Sequence, residues 1–153
     1  MSRRDTFENV RPGGYIPKEH INDMETDSVD VSIVYPTIGL LLFSVQDSGL
    51  LSAIFSTYND WVAEFCQEYP DRLKGIAMVN VDDVQAGIKE MERCAKMGFV
   101  GAMITAYPPE NRAFDSAEYE PLWAAAQEMD IPRSLHAATN RSVMFSAAST
   151  KLS

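Results

Sequence analysis

Residues 72–105 read RLKGIAMVNVDDVQAGIKEMERCAKMGFVGAMIT and hold two short apolar runs, 75–80 and 99–105, with a helical pattern between them. The helical pattern consists of apolar residues spaced three or four apart: Val84, Ile88, Met91 and Ala95. Gly98 follows at a position where glycine commonly ends a helix. This stretch therefore predicts a strand, a helix and a second strand.

The same alternation continues on both sides of this unit. Upstream, residues 29–35 are rich in β-branched side chains and predict a strand. A long helix is predicted after them, with Asp47 as its N-terminal cap and Pro70 at its end. Downstream, residues 121–129 predict a short helix and residues 131–136 a fourth strand. Strands that alternate with helices predict a parallel sheet, and their nearly continuous apolar character is typical of strands covered on both faces.

The first 28 residues are polar and lack a strand-like pattern. Pro12, Gly13, Gly14 and Pro17 interrupt them, so we expect an irregular N-terminal loop or arm. His20 belongs to this arm and is expected to be a solvated surface histidine.

Charge and cysteine content limit the possible partners. The 153 residues contain 13 Lys and Arg against 22 Asp and Glu, a formal net charge of −9. A negative surface repels nucleic acid and anionic membranes, so neither is expected as a partner. Cys66 and Cys94 form no disulfide framework and are expected to act as small apolar core residues. The first ten residues carry no apolar signal segment, so we expect a cytoplasmic protein.

In parallel α/β folds the chemistry lies at the carboxyl ends of the strands. Four places in the sequence qualify, namely residues 35–37, Asn80, residues 105–107 and His136. His136 is the strongest candidate, because an imidazole there can ligate a metal or transfer protons. The alternative is a hydrogen-bonded histidine at a strand end.

The loop after the third predicted strand is a candidate for substrate binding. It contains Tyr107, Asn111 and Arg112, and the guanidinium group of Arg112 is suited to a carboxylate. An ordinary surface loop is the alternative.

Other polar pairs are expected to be structural. Asn59 and Asp60 are expected on a partly exposed helix surface. Asp82 and Asp83 are expected at a helix start, where the helix dipole favours carboxylates. The sequence contains no phosphate-binding glycine loop, nucleophile elbow or His-Glu-x-x-His motif.

Six blocks of the sequence, taken in order, resemble the amidohydrolase-related family, which includes metal-dependent hydrolases and non-oxidative decarboxylases such as aminocarboxymuconate-semialdehyde decarboxylase. The blocks are VDVSIVYPTIGL (29–40), YNDWVAEF (58–65), RLKGIAM (72–78), GFVGAMI (98–104), YEPLWAAA (119–126) and IPRSLH (131–136). Their order and spacing carry the resemblance, which covers roughly residues 11–141.

The resemblance implies a (β/α)8 TIM barrel with one divalent metal, usually zinc, at its carboxyl edge. The family's usual ligands are a His-x-His on the first strand, a His that ends the fifth and an Asp that ends the eighth. His136 matches the fifth-strand ligand, so the four predicted strands correspond to strands two to five. The implied reaction is hydrolysis or decarboxylation of a small carboxylate or an amide- or ester-like substrate.

The sequence also departs from the family pattern. No His-x-His precedes residue 29, and nothing resembling strands six to eight follows His136. A complete barrel takes about 250 residues, roughly a hundred more than are present. We therefore expect a partial amidohydrolase-related domain at 29–141 and a divergent tail at 142–153, inactive as an isolated chain. Open sheet edges favour pairing with another chain, so a homo-oligomer is one expected outcome.

Two other functions stay open. The chain could be a non-catalytic interaction module or remnant that packs its open edge against another subunit. It could also be a complete flavodoxin-like binding domain, although the first predicted strand is not followed by a phosphate-binding glycine loop.

Overall fold

The computed structural model describes residues 9–109 and 111–141, in which strands and helices alternate as predicted. The strands are β1 (Ser32–Val34), β2 (Leu73–Met78), β3 (Gly101–Tyr107) and β4 (Arg133–Asn140). The helices are α1 (Pro17–Thr26), α2 (Ser48–Gln67), α3 (Val84–Lys96) and α4 (Glu120–Glu128). Short 3-10 helices lie at Pro12–Gly14, Ile38–Ser44 and Ala117–Tyr119.

The four strands form one parallel sheet in the order β1-β2-β3-β4. Each strand pairs with the next strand in the sequence, and a helix connects each pair. The predicted alternation and the parallel sheet are therefore confirmed. Because all strands run the same way, their carboxyl ends meet at one edge of the sheet.

Successive residues of β3 pack on opposite faces of the sheet, as expected for a strand. Ala102 and Ile104 join the larger core on the outer face, together with apolar side chains of α2, α3 and α4. Met103, between them in sequence, joins a second core on the other face, which we call the inner face. That inner core consists of Phe43, Leu51, Phe55, Ile76, Met78 and Met103. The 3-10 helix Ile38–Ser44 therefore covers part of the inner face.

The sheet is strongly curled, so that its two outermost strands approach each other. The hydroxyl of Tyr35, one residue beyond β1, lies 3.2 Å from the hydroxyl of Ser134 in β4. In a flat sheet these strands would lie about 14 Å apart, since three spacings of about 4.8 Å separate them. The direct contact shows a curled, half-barrel arrangement with the inner face on its concave side.

The prediction of an irregular arm is wrong for residues 17–26, which form α1. Pro17 stands in the first turn, where its missing N–H is tolerated, so this proline begins a helix and does not interrupt one. Ile21 and Met24 are buried against Phe65 of α2 and Leu73 of β2. The breaker residues concealed this short amphipathic pattern.

His20 is also not the solvated histidine that the sequence suggested. One ring nitrogen, Nδ1, lies 2.8 Å from the Gly13 carbonyl oxygen, and Nε2 lies 3.2 Å from the Ser32 hydroxyl. The edge of the imidazole also contacts Phe65, with ring centroids 5.7 Å apart. His20 therefore links α1 to the turn before it and to β1.

The predicted strand boundaries differ from the observed ones at two strands. β1 is shorter than the predicted 29–35, and β4 continues beyond His136 to Asn140. Gly98 has φ +92° and follows α3, which confirms its predicted role at the helix end. The tail predicted at 142–153 lies outside the described residues.

Both cysteines behave as predicted. Cys94 is fully buried, and burial, reinforced by the charge of Glu90, raises the pKa of its thiol to about 12. Burial likewise raises the pKa of the half-buried Cys66 to about 11. Within residues 9–109 and 111–141, no helix combines the length and apolarity needed to cross a bilayer.

Candidate functional site at the carboxyl edge

His136 lies near the carboxyl end of β4, opposite Thr105 of β3, and its side chain is exposed. The strand does not end at this residue, because β4 bulges directly after it. Thr105 pairs with His136 and Tyr107 with Asn140, so four steps along β4 match two along β3. The prediction that His136 lies on the fourth strand is correct, but the prediction that the strand ends there is wrong, because the strand continues through the bulge to Asn140.

Thr139 holds this bulge in place. Its buried hydroxyl donates to the His136 carbonyl oxygen at 2.7 Å and accepts from the Ala106 N–H at 2.8 Å. The hydroxyl thus replaces a backbone partner that the bulge removes from the ladder. His136 consequently stands on a fixed segment of backbone.

The His136 ring is oriented by its own neighbours. The Ala138 N–H donates to Nδ1 of the ring at 3.1 Å. A neutral imidazole whose Nδ1 accepts a hydrogen bond carries its proton on Nε2. In this arrangement neither ring nitrogen offers a free lone pair, so ligation of a metal requires the Ala138 contact to open.

The described residues do not by themselves fit a bound metal ion. Among residues 9–109 and 111–141, no group of three His, Cys, Asp or Glu side chains is placed to hold one. A catalytic zinc-type site needs about three protein ligands. His136 is the one imidazole in this part of the chain that lies at the carboxyl edge.

The predicted substrate loop divides into two parts. Tyr107 ends β3 beside Asn140 at the expected edge and is 46% exposed, and Asn111, in the loop that follows, is also exposed. Arg112 instead forms an ion pair with Glu118 at 2.9 Å and donates to the Asp82 carbonyl oxygen at 2.6 Å. The hydrogen bonds that Arg112 donates to the Glu118 carboxylate raise the pKa of Arg112. The carboxylate that Arg112 binds in this structure belongs to the protein.

A buried ion pair between Arg141 and Asp82 closes the same edge, and the sequence analysis did not predict it. Their side chains are 6% and 16% exposed. Nε of Arg141 donates to Asp82 at 3.1 Å, and a terminal nitrogen donates to the Phe43 carbonyl oxygen at 3.1 Å. The pair thus joins the end of β4 to the 3-10 helix that covers the inner face. Asp83, by contrast, caps α3 as predicted.

Asn59 was expected on a helix surface but is fully buried. Its amide oxygen accepts from the Met78 N–H at 2.8 Å, and its amide nitrogen donates to the Met78 carbonyl at 3.0 Å. It also donates to Glu90 at 2.8 Å. β1 pairs with β2 only as far as Gly75, so it provides no backbone partner for Met78. The side-chain amide of Asn59 makes the hydrogen bonds that a neighbouring strand would make there.

Asn80, the remaining predicted position, is engaged in structure. Its amide nitrogen donates to the hydroxyls of Ser48 and Ser52 at 2.9 and 3.0 Å. These contacts fix the start of α2 against the end of β2. Polar side chains on the inner face near His136 include Ser134 and Thr105 by register, and Tyr35 through its hydrogen bond to Ser134.

Comparison with known proteins gives a consistent result. Residues 11–152 match the amidohydrolase family. The chain is 33% identical over 99 residues to a gamma-resorcylate decarboxylase of Polaromonas sp., covering 61% of this chain and 30% of that protein. The chain thus spans about a third of the length of this relative.

Two solved structures share the fold with a similar coverage. A Polaromonas dihydroxybenzoic acid decarboxylase with bound manganese and the inhibitor 2-nitroresorcinol has a TM-score of 0.69 and 28% identity, over 79% of this chain and 38% of that one. The second is a 5-carboxyvanillate decarboxylase of Novosphingobium aromaticivorans in complex with manganese and 4-hydroxy-3-methoxy-5-nitrobenzoic acid. It has a TM-score of 0.70 and 27% identity, and the match covers 87% of this chain and 38% of that one. The metal in both is manganese, which supports a divalent metal among the relatives but not zinc in particular. The family match, the parallel half-barrel and the relatives all agree. This chain therefore belongs to the amidohydrolase family.

Proposed function

We propose that this chain forms part of a metal-dependent, non-oxidative decarboxylase that acts on small aromatic carboxylates bearing hydroxyl groups. The observation that carries the proposal is the placement of His136 at the carboxyl edge of a parallel half-barrel, on the inner face. Relatives with the same fold act on dihydroxybenzoate or carboxyvanillate. Among the family's reactions, the similarity to decarboxylases favours decarboxylation over hydrolysis.

In this proposal His136 is one ligand of a divalent metal, and the other ligands come from outside the described residues. Tyr107 and Asn111 border the substrate pocket at the end of β3. Arg112 stabilises the wall of this pocket through its contacts with Glu118 and Asp82. It can bind the substrate only if its ion pair with Glu118 breaks. The supporting observations are that Tyr107 ends β3 beside Asn140 and that Arg112 bonds to Asp82, which follows the end of β2.

A grafting experiment tests this function. Residues 11–141 of this chain would replace the structurally equivalent part of the Polaromonas decarboxylase, which supplies the remaining barrel. We expect the graft to release carbon dioxide from 2,6-dihydroxybenzoate in a manganese-dependent manner. A graft that folds and binds manganese yet leaves the substrate unchanged would refute the proposed reaction, with the parent enzyme as the positive control.

The chain on its own is expected to bind manganese only weakly, because the described residues provide one ligand at the edge. Titration followed by electron paramagnetic resonance would report the free aqueous ion directly. We expect no stoichiometric site with a dissociation constant below about 10 μM, and little difference between the native chain and His136→Ala. Tight one-to-one binding that His136→Ala abolishes would contradict the ligand count.

We also propose that the chain associates through its open sheet edges and works in the cytoplasm. β1 and β4 each have only one neighbouring strand among the described residues, and exposed strand edges favour pairing. Exposed apolar residues such as Val31 and Ile33, each 47% exposed, lie in or beside β1. Sedimentation of the purified chain as a monomer would argue against association.

A further inference from the structure

A cleft of about 170 Å³ lies between the turn before α1 and the last turns of α2. Contacts from Asn80 hold the start of α2 at the carboxyl edge of the sheet, so the other end of this helix lies at the amino edge. The cleft is therefore separate from the edge that carries His136. It is lined by Tyr15, Pro17, Trp61, Glu64, Phe65 and Glu68.

Aromatic rings form one wall of this cleft. The rings of Trp61 and Phe65 lie with their centroids 5.6 Å apart and their planes at 38°. Trp61 is 43% exposed, so its indole is accessible to a ligand. The face of an aromatic ring carries partial negative charge and attracts cations, and the indole of tryptophan does so most strongly.

The other wall is negatively charged. Glu64 and Glu68 are four positions apart, where like charges on a helix repel each other. They also stand at the C-terminal end of α2, where the helix dipole favours cations, yet the last turn of α2 contains no basic residue. Neither carboxylate forms an ion pair with another of the described residues. A cation in the cleft would relieve all of these unfavourable interactions.

Elsewhere the protein supplies cations to its own aromatic rings. The guanidinium of Arg112 lies over the ring of Tyr119 at 5.5 Å, and that of Arg133 lies over Trp123 at 5.2 Å. In the part of the chain that the structure describes, Trp61 has no such partner, and the residues that line its cleft include no basic side chain. The cleft thus combines an accessible indole and two carboxylates without an internal cation.

We propose that this cleft binds the quaternary ammonium group of a small organic cation. A quaternary ammonium is suited to aromatic walls, because it has no N–H groups that require hydrogen-bond acceptors. A primary ammonium is strongly hydrated and has three such groups, so it loses more on leaving water. This site is independent of the proposed decarboxylation and requires neither a metal nor the remaining barrel.

NMR titration of the 153-residue chain with choline tests the proposal. The chain contains two tryptophans, so the indole N–H signals of Trp61 and Trp123 report the two sites separately. We expect the Trp61 signal to shift saturably, with a dissociation constant below about 10 mM, while the Trp123 signal stays in place. The neutral alcohol in which carbon replaces the choline nitrogen has the same shape, and it should bind about tenfold more weakly.

Charge variants test the role of the acidic wall. The double variant Glu64→Gln with Glu68→Gln should weaken choline binding about tenfold. The matched control is Glu92→Gln with Glu128→Gln, which removes two exposed carboxylates from α3 and α4 and should leave the affinity unchanged within about twofold. A Trp61 signal that does not shift, equal affinity for choline and the neutral alcohol, or equal weakening in both double variants would each overturn the inference.

Discussion

Replacement of Arg141 by methionine is expected to lower the free energy of unfolding of this chain by about 3–5 kcal/mol. The substitution leaves the carboxylate of Asp82, which is 16% exposed, without its charged partner, and it also removes donors to the Phe43 and Val45 carbonyl oxygens. An unpaired buried charge costs far more than an exposed one, because it has lost its hydration. Urea denaturation followed by circular dichroism would measure the loss.

Two matched variants make this result specific. Arg11 pairs with Asp23 on the surface, where the side chains are 82% and 43% exposed, so Arg11→Met should cost less than about 1 kcal/mol. The double variant Asp82→Asn with Arg141→Met removes both charges and should regain part of the lost stability. Equal small losses of unfolding free energy in Arg11→Met and Arg141→Met would show that the Arg141–Asp82 pair contributes little to stability.

Replacement of Asn59 by leucine is expected to lower the free energy of unfolding by about 3 kcal/mol. The apolar side chain leaves the N–H and the carbonyl of Met78 without partners in the interior, and each unsatisfied buried group costs about 1–3 kcal/mol. Asn22→Leu on α1 is the control, because that amide bonds only to Glu19 near the surface, and it should stay within about 0.5 kcal/mol. A loss below 1 kcal/mol for Asn59→Leu would contradict the role of this amide as a substitute strand.

The same amide influences an acid-sensitive cluster. Burial alone would raise the pKa of Glu90, but hydrogen bonds from Arg93 and Asn59 outweigh it and hold that pKa below its usual range. A carboxyl with a lowered folded-state pKa stabilises the protein above its unfolded-state pKa, and this contribution is lost as the pH falls through the folded-state value. Asn59→Leu should therefore also weaken the dependence of stability on pH in the acid range.

The order of strands and helices could be predicted because it depends on local patterns. The runs at 75–80 and 99–105, with a helical stripe between them, fix a parallel unit without any knowledge of distant contacts. α1 was missed for a local reason as well, since Pro17 is favourable at a helix start and unfavourable inside one. Only the burial of Ile21 and Met24 reveals which role applies.

Two features of the site that the sequence did not predict are long-range. Arg141 and Asp82 are 59 positions apart, and Tyr35 and Ser134 are 99 apart. Such pairs form only when the sheet curls and the 3-10 helix folds over its inner face, which no local pattern specifies. His136 could be placed on the fourth strand because the apolar run before it is a local feature, but the bulge that extends the strand to Asn140 and the orientation of the ring could not be predicted.

Arg112 shows that the type of a residue does not determine which partner it binds. A guanidinium group in a loop at the carboxyl edge is suited to a substrate carboxylate, yet Glu118, six positions later, is suited to it equally well. The choice between an internal and an external partner depends on the path of the loop. Sequence analysis could therefore identify the chemistry of this side chain but not its partner.

His136 is the proposed metal ligand, and the two histidines of the chain allow this role to be tested directly. The measurement is the affinity for manganese of the graft described above, in its His136→Ala and His20→Ala forms. We predict that His136→Ala weakens manganese binding by more than about 100-fold and abolishes turnover, whereas His20→Ala retains both. Full manganese affinity and turnover in His136→Ala would contradict the claim.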